Sequence, residues 1–247
     1  MSERSLLSSR TIYVMIIEDH PLVREGLRTR ISSQNDMEVT CEAESISEAM
    51  AILRKTTTLP DVAIVDIALK DCHGIELVKD IAASFPRIKI LVVSAFDESV
   101  YGERALRAGA LGYVNKRDAP QKILDAIRTV RDGERFLSPT MTQRLLSQAV
   151  GAKHKDARTD PVESLSDREL EVFQMIGEGM TTGMIARELF LSVHTIDTHR
   201  EKIRHKLCLK NGHELMRYAI QWVLEKNGGS TLASNTNPPT DEQPALE

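Results

Sequence analysis

Two kinds of hydrophobic spacing alternate along the first half of the chain. Short, uninterrupted apolar runs over 12–17, 62–67, 88–93 and 111–114, with a more polar run over 37–43, predict five β-strands. Continuous runs of this length are the mark of strands buried on both faces. Between them apolar residues recur at helical spacing. Pro21 opens a helix carrying Leu22, Leu27 and Ile31, and Ser47 caps one carrying Ala49, Ile52 and Leu53. A helix through Ile75, Val78 and Ile81 follows Gly74; further helices over 101–108 and 120–131 stop at Gly109 and Gly133. Five βα units in succession predict an α/β fold, a doubly wound five-stranded parallel sheet with helices on both faces. Right-handed crossovers then gather the carboxyl ends of the strands on one rim, where ligands bind in such sheets.

The second half carries no strand pattern. A helix is expected from Ser138–Pro139 to about residue 150, then a polar linker over 151–161, then a second, all-α domain from Ser166 to about Lys226. The domains expected are therefore 11–133, a linker with a helix over 134–163, a helical domain over 164–227, and a disordered tail over 228–247, where Ser, Thr, Asn and Pro replace any apolar period. Within the helical domain Ser166 and Glu169 have the spacing of a capping box. Gly177 and Gly179 end that helix, Thr181 or Thr182 starts a short one through Ile185, Ala186 and Leu189, and Ser192 caps a longer one. On the longer helix Val193, Ile196, Ile203 and Leu207 form the expected buried stripe. His194, Thr195, Asp197, Thr198, Glu201, Lys202 and His205 occupy the other face. Two helices crossing closely at Ala186 with a polar, partly basic outer face suit a helix-turn-helix that enters a DNA major groove. A small helical bundle that binds protein is the alternative.

Charge sharpens the second half. The net charge of the 247 residues is −4, yet residues 194–210 hold five basic side chains against two acidic ones. Composition excludes other classes. The apolar run nearest the amino terminus is too short to span a membrane, and no signal peptide precedes it, so a cytoplasmic protein without membrane partners is expected. Cys41, Cys72 and Cys208 are odd in number and lack metal-ligand spacing, which argues against a disulfide framework or a zinc site.

The rim of the sheet is the first place to look for chemistry. Glu18 and Asp19 end the first strand, Asp66 the third and Ser94 the fourth, while Lys116 follows the fifth. Three carboxylates at the edge of a low-dielectric sheet repel one another unless cations hold them. A hard divalent ion such as Mg²⁺, with the Lys116 ammonium, balances them and suits an incoming phosphate. With the metal on Asp19, Asp66 and a backbone carbonyl, an Asp66 oxygen is left to attack phosphorus, and Lys116 and Ser94 contact the transferred oxygens.

The segments 16–27, 63–66, 92–95 and 112–116, which carry these residues, resemble a two-component receiver domain of the CheY-like kind. The resemblance implies phosphorylation of Asp66 by a sensor histidine kinase. It also implies Mg²⁺ held by Asp19, Asp66 and the Ala68 carbonyl, with Glu18 assisting, and Ser94 and Tyr113 as the switch pair. Lys70 stands where that family frequently has proline. Phosphatases of the haloacid-dehalogenase type also use a strand-ending aspartate, but need a second acid two residues later. Ala68 is there instead, so intrinsic formation and hydrolysis of an aspartyl phosphate is the only catalysis expected.

The stretch Thr195-Ile196-Asp197-Thr198-His199-Arg200, with 165–169 before it and Lys206-Leu207 after, resembles the LuxR-type DNA-binding domain. Together the two halves are similar to response regulators of the NarL/FixJ family. That resemblance implies a recognition helix over 192–207 and a packing helix over 211–223 with Leu215, Ala219 and Trp222. Arg200, Lys202 and Lys206 are assigned to phosphate contact or helix-end charge, and Thr195, Thr198 and His205 to base contact. Asp197 and Glu201 stand at base-facing positions where the family often has lysine. The function expected is phosphorylation-controlled homodimerisation and sequence-specific binding of double-stranded DNA; a receiver with a protein-binding helical output is the alternative.

Overall fold

The computed structural model describes residues 11–69, 73–149 and 161–228. Lys70 and Cys72, the linker over 151–160 and the tail beyond Gly228 lie outside them. The chain divides into two compact units, Met1–Ala157 and Arg158–Glu247.

The first unit is a five-stranded parallel sheet of β1 (Ile12–Ile17), β2 (Met37–Ala43), β3 (Val62–Val65), β4 (Lys89–Ser94) and β5 (Gly112–Asn115), in the order β2-β1-β3-β4-β5. Five helices alternate with them: α1 (Pro21–Ser32), α2 (Ile46–Lys55), α3 (Gly74–Ser84), α4 (Glu98–Ala108) and α5 (Ala119–Arg131). Side chains alternate across a strand, so each run feeds two layers. Val14, Ile16, Val62, Ile64, Leu91 and Val93 join Leu27 and Ile31 of α1 and Ile123, Ile127 and Val130 of α5 in one core cluster. Met15, Ile17, Ala63, Val65, Ile90 and Val92 are equally buried on the other side, which α2, α3 and α4 cover. Strand order reverses between β1 and β3, which sets the crevice at their carboxyl ends.

Local chemistry moves two expected boundaries and one expected core position. Ser45, not Ser47, caps α2, its side chain accepting the Glu48 N–H. Helix α4 begins three residues before Tyr101, because the Asp97 carboxylate caps it by accepting the Ser99 N–H at 2.7 Å. Leu22 is not a core position: at the first turn of α1 it is 85% exposed.

After α5 the chain returns to the open edge of β5. The Phe136 N–H donates to the Leu111 carbonyl at 3.0 Å and the Phe136 carbonyl accepts from Tyr113 at 3.0 Å. Helix α6 (Pro139–Ala149) then lies on α4, where Met141 is buried against Gly102 and Arg144 donates to the Ser99 carbonyl at 2.8 Å.

The second unit contains α7 (Asp167–Gly177), α8 (Thr182–Glu188), α9 (Val193–Lys206) and α10 (Gly212–Gly228), preceded by a 3-10 turn at Pro161–Ser164. Ser166 and Glu169 complete the expected capping box on α7, and Thr181 and Ser192 cap α8 and α9. Phe173, Ile185, Ile196, Ile203, Leu215 and Ala219 are its fully buried centre, with Trp222 set edge-on to Phe173 at 5.6 Å. Gly177 lies against α10 so closely that a Cβ there would stand 2.5 Å from the Ala219 carbonyl oxygen. No helix among the described residues is long and apolar enough to cross a membrane.

Candidate phosphoacceptor site and nucleic-acid interface

The rim gathers every residue expected there. β1 ends at Ile17 and delivers Glu18 and Asp19; β3 ends at Val65 and delivers Asp66. All three carboxylates are buried, as is Ser94 at the end of β4. Lys116 reaches in from beyond β5, its Nζ donating to Asp66 Oδ2 at 2.8 Å and standing 2.7 Å from Glu18 Oε2. One ammonium therefore serves two carboxylates. Burial pushes the Asp66 carboxyl up, with the Glu18 charge adding to the rise, while Lys116 pulls it down. Burial opposes the charge on Lys116 as well, but Asp66 and Glu18 outweigh it and hold the ammonium above its ordinary value.

The remaining oxygens have a clear vacancy in their bonding. Asp66 Oδ1 and Asp19 Oδ1 are buried and accept no hydrogen bond, although buried polar oxygens are nearly always paired. His20 Nδ1 stands 2.7 Å from Asp19 Oδ1, but only its 3.2 Å contact with Glu18 Oε1 has hydrogen-bond geometry. Ligand atoms of Glu18, Asp19, His20 and Asp66 all lie within 4.8 Å of one another. Oxygen donors so placed, two of them unsatisfied, fit a hard divalent cation.

Supporting residues that the apolar pattern did not single out fix this geometry. Arg24, one turn into α1, donates to the Glu18 carbonyl at 2.7 Å and pairs with Glu44 at 2.7 Å, tying the end of β1 to the loop after β2. Its position after Glu18-Asp19 was the available signal. The Ala68 N–H supports the Asp66 carboxylate, and Ala68 bridges His73 across the loop. Gly74 then starts α3 directly under the acceptor: a Cβ there would lie 2.0 Å from the Asp66 carbonyl oxygen.

Ser94 and Tyr113 meet at a residue the sequence reading passed over. The Phe96 N–H donates to Ser94 Oγ at 3.2 Å, and the Phe96 carbonyl accepts from Tyr113 Oη at 3.0 Å and Asn115 Nδ2 at 3.1 Å. Tyr113 is buried, and burial pushes its phenol far up. The Phe96 ring stacks on Tyr101 of α4 at 4.7 Å. Ser94 at the rim, Tyr113 and α4 thus meet at one residue, Phe96.

In the second unit α9 presents the expected outer face, with one correction. Ile196, Ile203 and Leu207 are buried, but Val193 is 52% exposed. Val193 is the first residue of α9, directly after the capping Ser192. Three expected contact residues are engaged internally. Thr195 Oγ1 lies 2.7 Å from the capping Ser192 hydroxyl, Thr198 donates to the His194 carbonyl at 3.0 Å, and Lys206 Nζ donates to Glu169 Oε2 at 2.7 Å and the Ser164 carbonyl at 3.2 Å. Lys206 is thus tied to the start of α7. Glu201 is paired with Arg204 at 3.0 Å. Asp197, Lys202 and His205 are exposed, and Arg200 is half-buried near Gly212. Burial, with the positive charge of Arg168 and Lys202, holds His199 below its ordinary value.

Known proteins match this arrangement throughout. The family model for the response regulator receiver domain matches residues 14–128, and that for bacterial regulatory proteins of the luxR family matches 163–219. The uncharacterized transcriptional regulatory protein YxjL of Bacillus subtilis is 35% identical over 210 residues, 85% of this chain and 95% of YxjL. The oxygen regulatory protein NreC of Staphylococcus aureus is 37% identical over 211 residues, 84% and 96% of the two chains. Among solved structures, RcsB of Salmonella enterica serovar Typhimurium, bound to promoter rprA in the presence of the phosphomimetic BeF3-, aligns with a TM-score of 0.55 and 26% identity over 85% of this chain and 99% of that one. These are regulators, which removes the hydrolase alternative, and the luxR-family match favours DNA over protein as the target of the helical unit. A receiver domain over 14–128 followed by a LuxR-type domain over 163–219, with relatives 35% and 37% identical along most of the chain, makes this chain a two-component response regulator of the NarL/FixJ family.

Proposed function

We propose that Asp66 accepts a phosphoryl group from a sensor histidine kinase and that the phosphorylated protein, as a homodimer, binds double-stranded DNA to regulate transcription. The observation that carries the first step is the unpartnered, buried Asp66 Oδ1 beside a Lys116 that already holds Oδ2. In the transfer, the Asp66 carboxylate forms a bond to phosphorus through the oxygen not taken by the metal, as the phosphorus–nitrogen bond of the phosphohistidine breaks. The electron pair returns to the imidazole nitrogen, which takes up a proton. Asp19, Asp66 and the Ala68 carbonyl, with Glu18 assisting, would hold Mg²⁺, which would supply charge neutralisation for the phosphoryl oxygens. Lys116 and the Ser94 hydroxyl orient those oxygens. Hydrolysis of the aspartyl phosphate by water resets the site, and this is the chain's only catalysis.

The receiver is taken as 11–133, the linker with α6 as 134–163, the output domain as 164–227 and the tail as 228–247, all working in the cytoplasm. Ser94 and Tyr113 report phosphorylation through Phe96 to α4. Two copies reading half-sites about one helical turn apart then gain affinity by linking their binding events. A switch from almost wholly inactive to almost wholly active needs about 5.5 kcal/mol of preference. Charge-assisted contacts from phosphate to Lys116 and Ser94 contribute to that preference.

The test joins both steps. Purified full-length protein is treated with Mg²⁺ and a small phosphodonor or beryllofluoride and then used to select genomic DNA fragments. An acyl phosphate absent from Asp66→Asn, and a paired motif enriched only in the activated state, are expected. DNA binding by Asp66→Asn as tight as that of the phosphorylated wild type would overturn the switch.

A further inference from the structure

The outer face of α9 is sorted by its internal bonds, and what is left exposed has a definite base preference. The amino-terminal residues of a recognition helix are the ones that reach base edges. In the first two turns Thr195 is spent on the cap, Thr198 has given its proton to the helix backbone, and Ile196 is buried. Val193, His194 and Asp197 remain exposed, and of these Val193 and Asp197, four residues apart, are stacked on one face. Val193 is more than half exposed, and Asp197 is exposed and makes no ion pair among the described residues. Further along, the Glu201 carboxylate is held by Arg204.

Resting on the reading of α9 as a DNA-binding helix, we propose that Asp197 selects a cytosine and Val193 a neighbouring thymine in each half-site. A carboxylate only accepts hydrogen bonds. In the major groove guanine offers two acceptors and thymine an acceptor and a methyl group, so both repel it or leave it unpaired. Adenine offers a donor beside an acceptor, whereas cytosine offers the N4 amino donor alone. Asp197 therefore favours cytosine. Val193 has only methyl groups to present, and the thymine C5-methyl is the one apolar group on a base edge in that groove.

The experiment selects bound sequences from a randomised duplex library with full-length protein, Mg²⁺ and beryllofluoride. Wild type, Asp197→Ala and Val193→Ala are compared, and the sole tryptophan, Trp222, reports that each output unit is folded. Wild type should enrich a half-site with a cytosine and a nearby thymine. Asp197→Ala should relax the cytosine position alone, by about 10-fold, within the range of single mismatches. Replacing that thymine by deoxyuracil should weaken wild type and leave Val193→Ala unchanged. Motifs identical in wild type and Asp197→Ala, or a general weakening at every position, would overturn the base assignment while leaving DNA binding intact. No enrichment by wild type in any state would overturn the DNA-binding reading and the base assignment with it.

Discussion

At the scale of single residues, the phosphoacceptor depends on a backbone contact as much as on its charges. Gly74 lets the start of α3 touch the Asp66 peptide, and any Cβ would occupy the space of the Asp66 carbonyl oxygen. Gly74→Ala is therefore expected to displace the acceptor without altering any reacting group. Misplacement by an ångström costs on the order of 100-fold in a positioned reaction, so the rate of acyl-phosphate formation from a small phosphodonor should fall at least tenfold. A rate equal to wild type would show that the loop relaxes freely. The two unsatisfied oxygens give a second expectation. A cation bound only by the folded receiver stabilises it by about 2.7 kcal/mol at a hundred times its Kd. Mg²⁺ should increase hydrogen-exchange protection of β3 and β4, and Asp19→Asn should lose most of that gain. Equal gains in both proteins would remove Asp19 from the ligand set.

At the scale of elements, the output unit is clasped by a pair that sequence spacing did not join. The Glu169 carboxylate completes the cap of α7 by accepting the Ser166 N–H at 2.8 Å and also accepts from Lys206 at the far end of α9. Burial raises its pKa, but Lys206 and the Ser166 N–H outweigh burial and hold it below the ordinary 4.5. A carboxyl group with a depressed folded pKa contributes stability that is fully present above its unfolded value and lost as pH falls through its folded value. The unit should therefore lose stability below about pH 4.5, followed by Trp222 fluorescence during urea unfolding. Glu169→Gln should flatten that dependence. Because the Lys206 side chain is 39% exposed, solvent screening limits the loss at neutral pH to about 1 kcal/mol. An unchanged acid profile would show that the clasp is not a stabilising contact.

At the scale of the whole molecule, salt dependence separates cations that meet DNA from cations that hold the fold. Each phosphate neutralised adds about 0.9 to the slope of log K against log salt. Lys202 is exposed on α9 and has no partner among the described residues, whereas Lys206 is committed to Glu169 and Ser164. With beryllofluoride-treated dimer on duplex DNA, Lys202→Ala should lower the slope by about 2, one phosphate for each copy. Lys206→Ala should leave the slope unchanged while reducing the stability of the output unit. A fall in slope for Lys206→Ala alone would exchange the two roles.

Hydrophobic spacing by itself determined the order of strands and helices, the parallel sheet and its reactive rim, because a strand buried on both faces and an amphipathic helix leave different periods in a sequence. Polar spacing located the capping box at Ser166 and Glu169, and the apolar run placed Asp66 at the rim, one residue beyond β3, since those signals lie within a few residues of one another. Tertiary structure decided what depends on distance across the fold. Lys116 bridges two carboxylates, and Phe96 joins Ser94 to Tyr113. Lys206 turns inward to Glu169, a residue 37 positions away. Val193, the first residue of α9, is exposed although its period matches the buried stripe. Local pattern records which residues prefer burial, while the partner a polar group finds and the point where a helix leaves its core are set by elements packed together from distant parts of the chain.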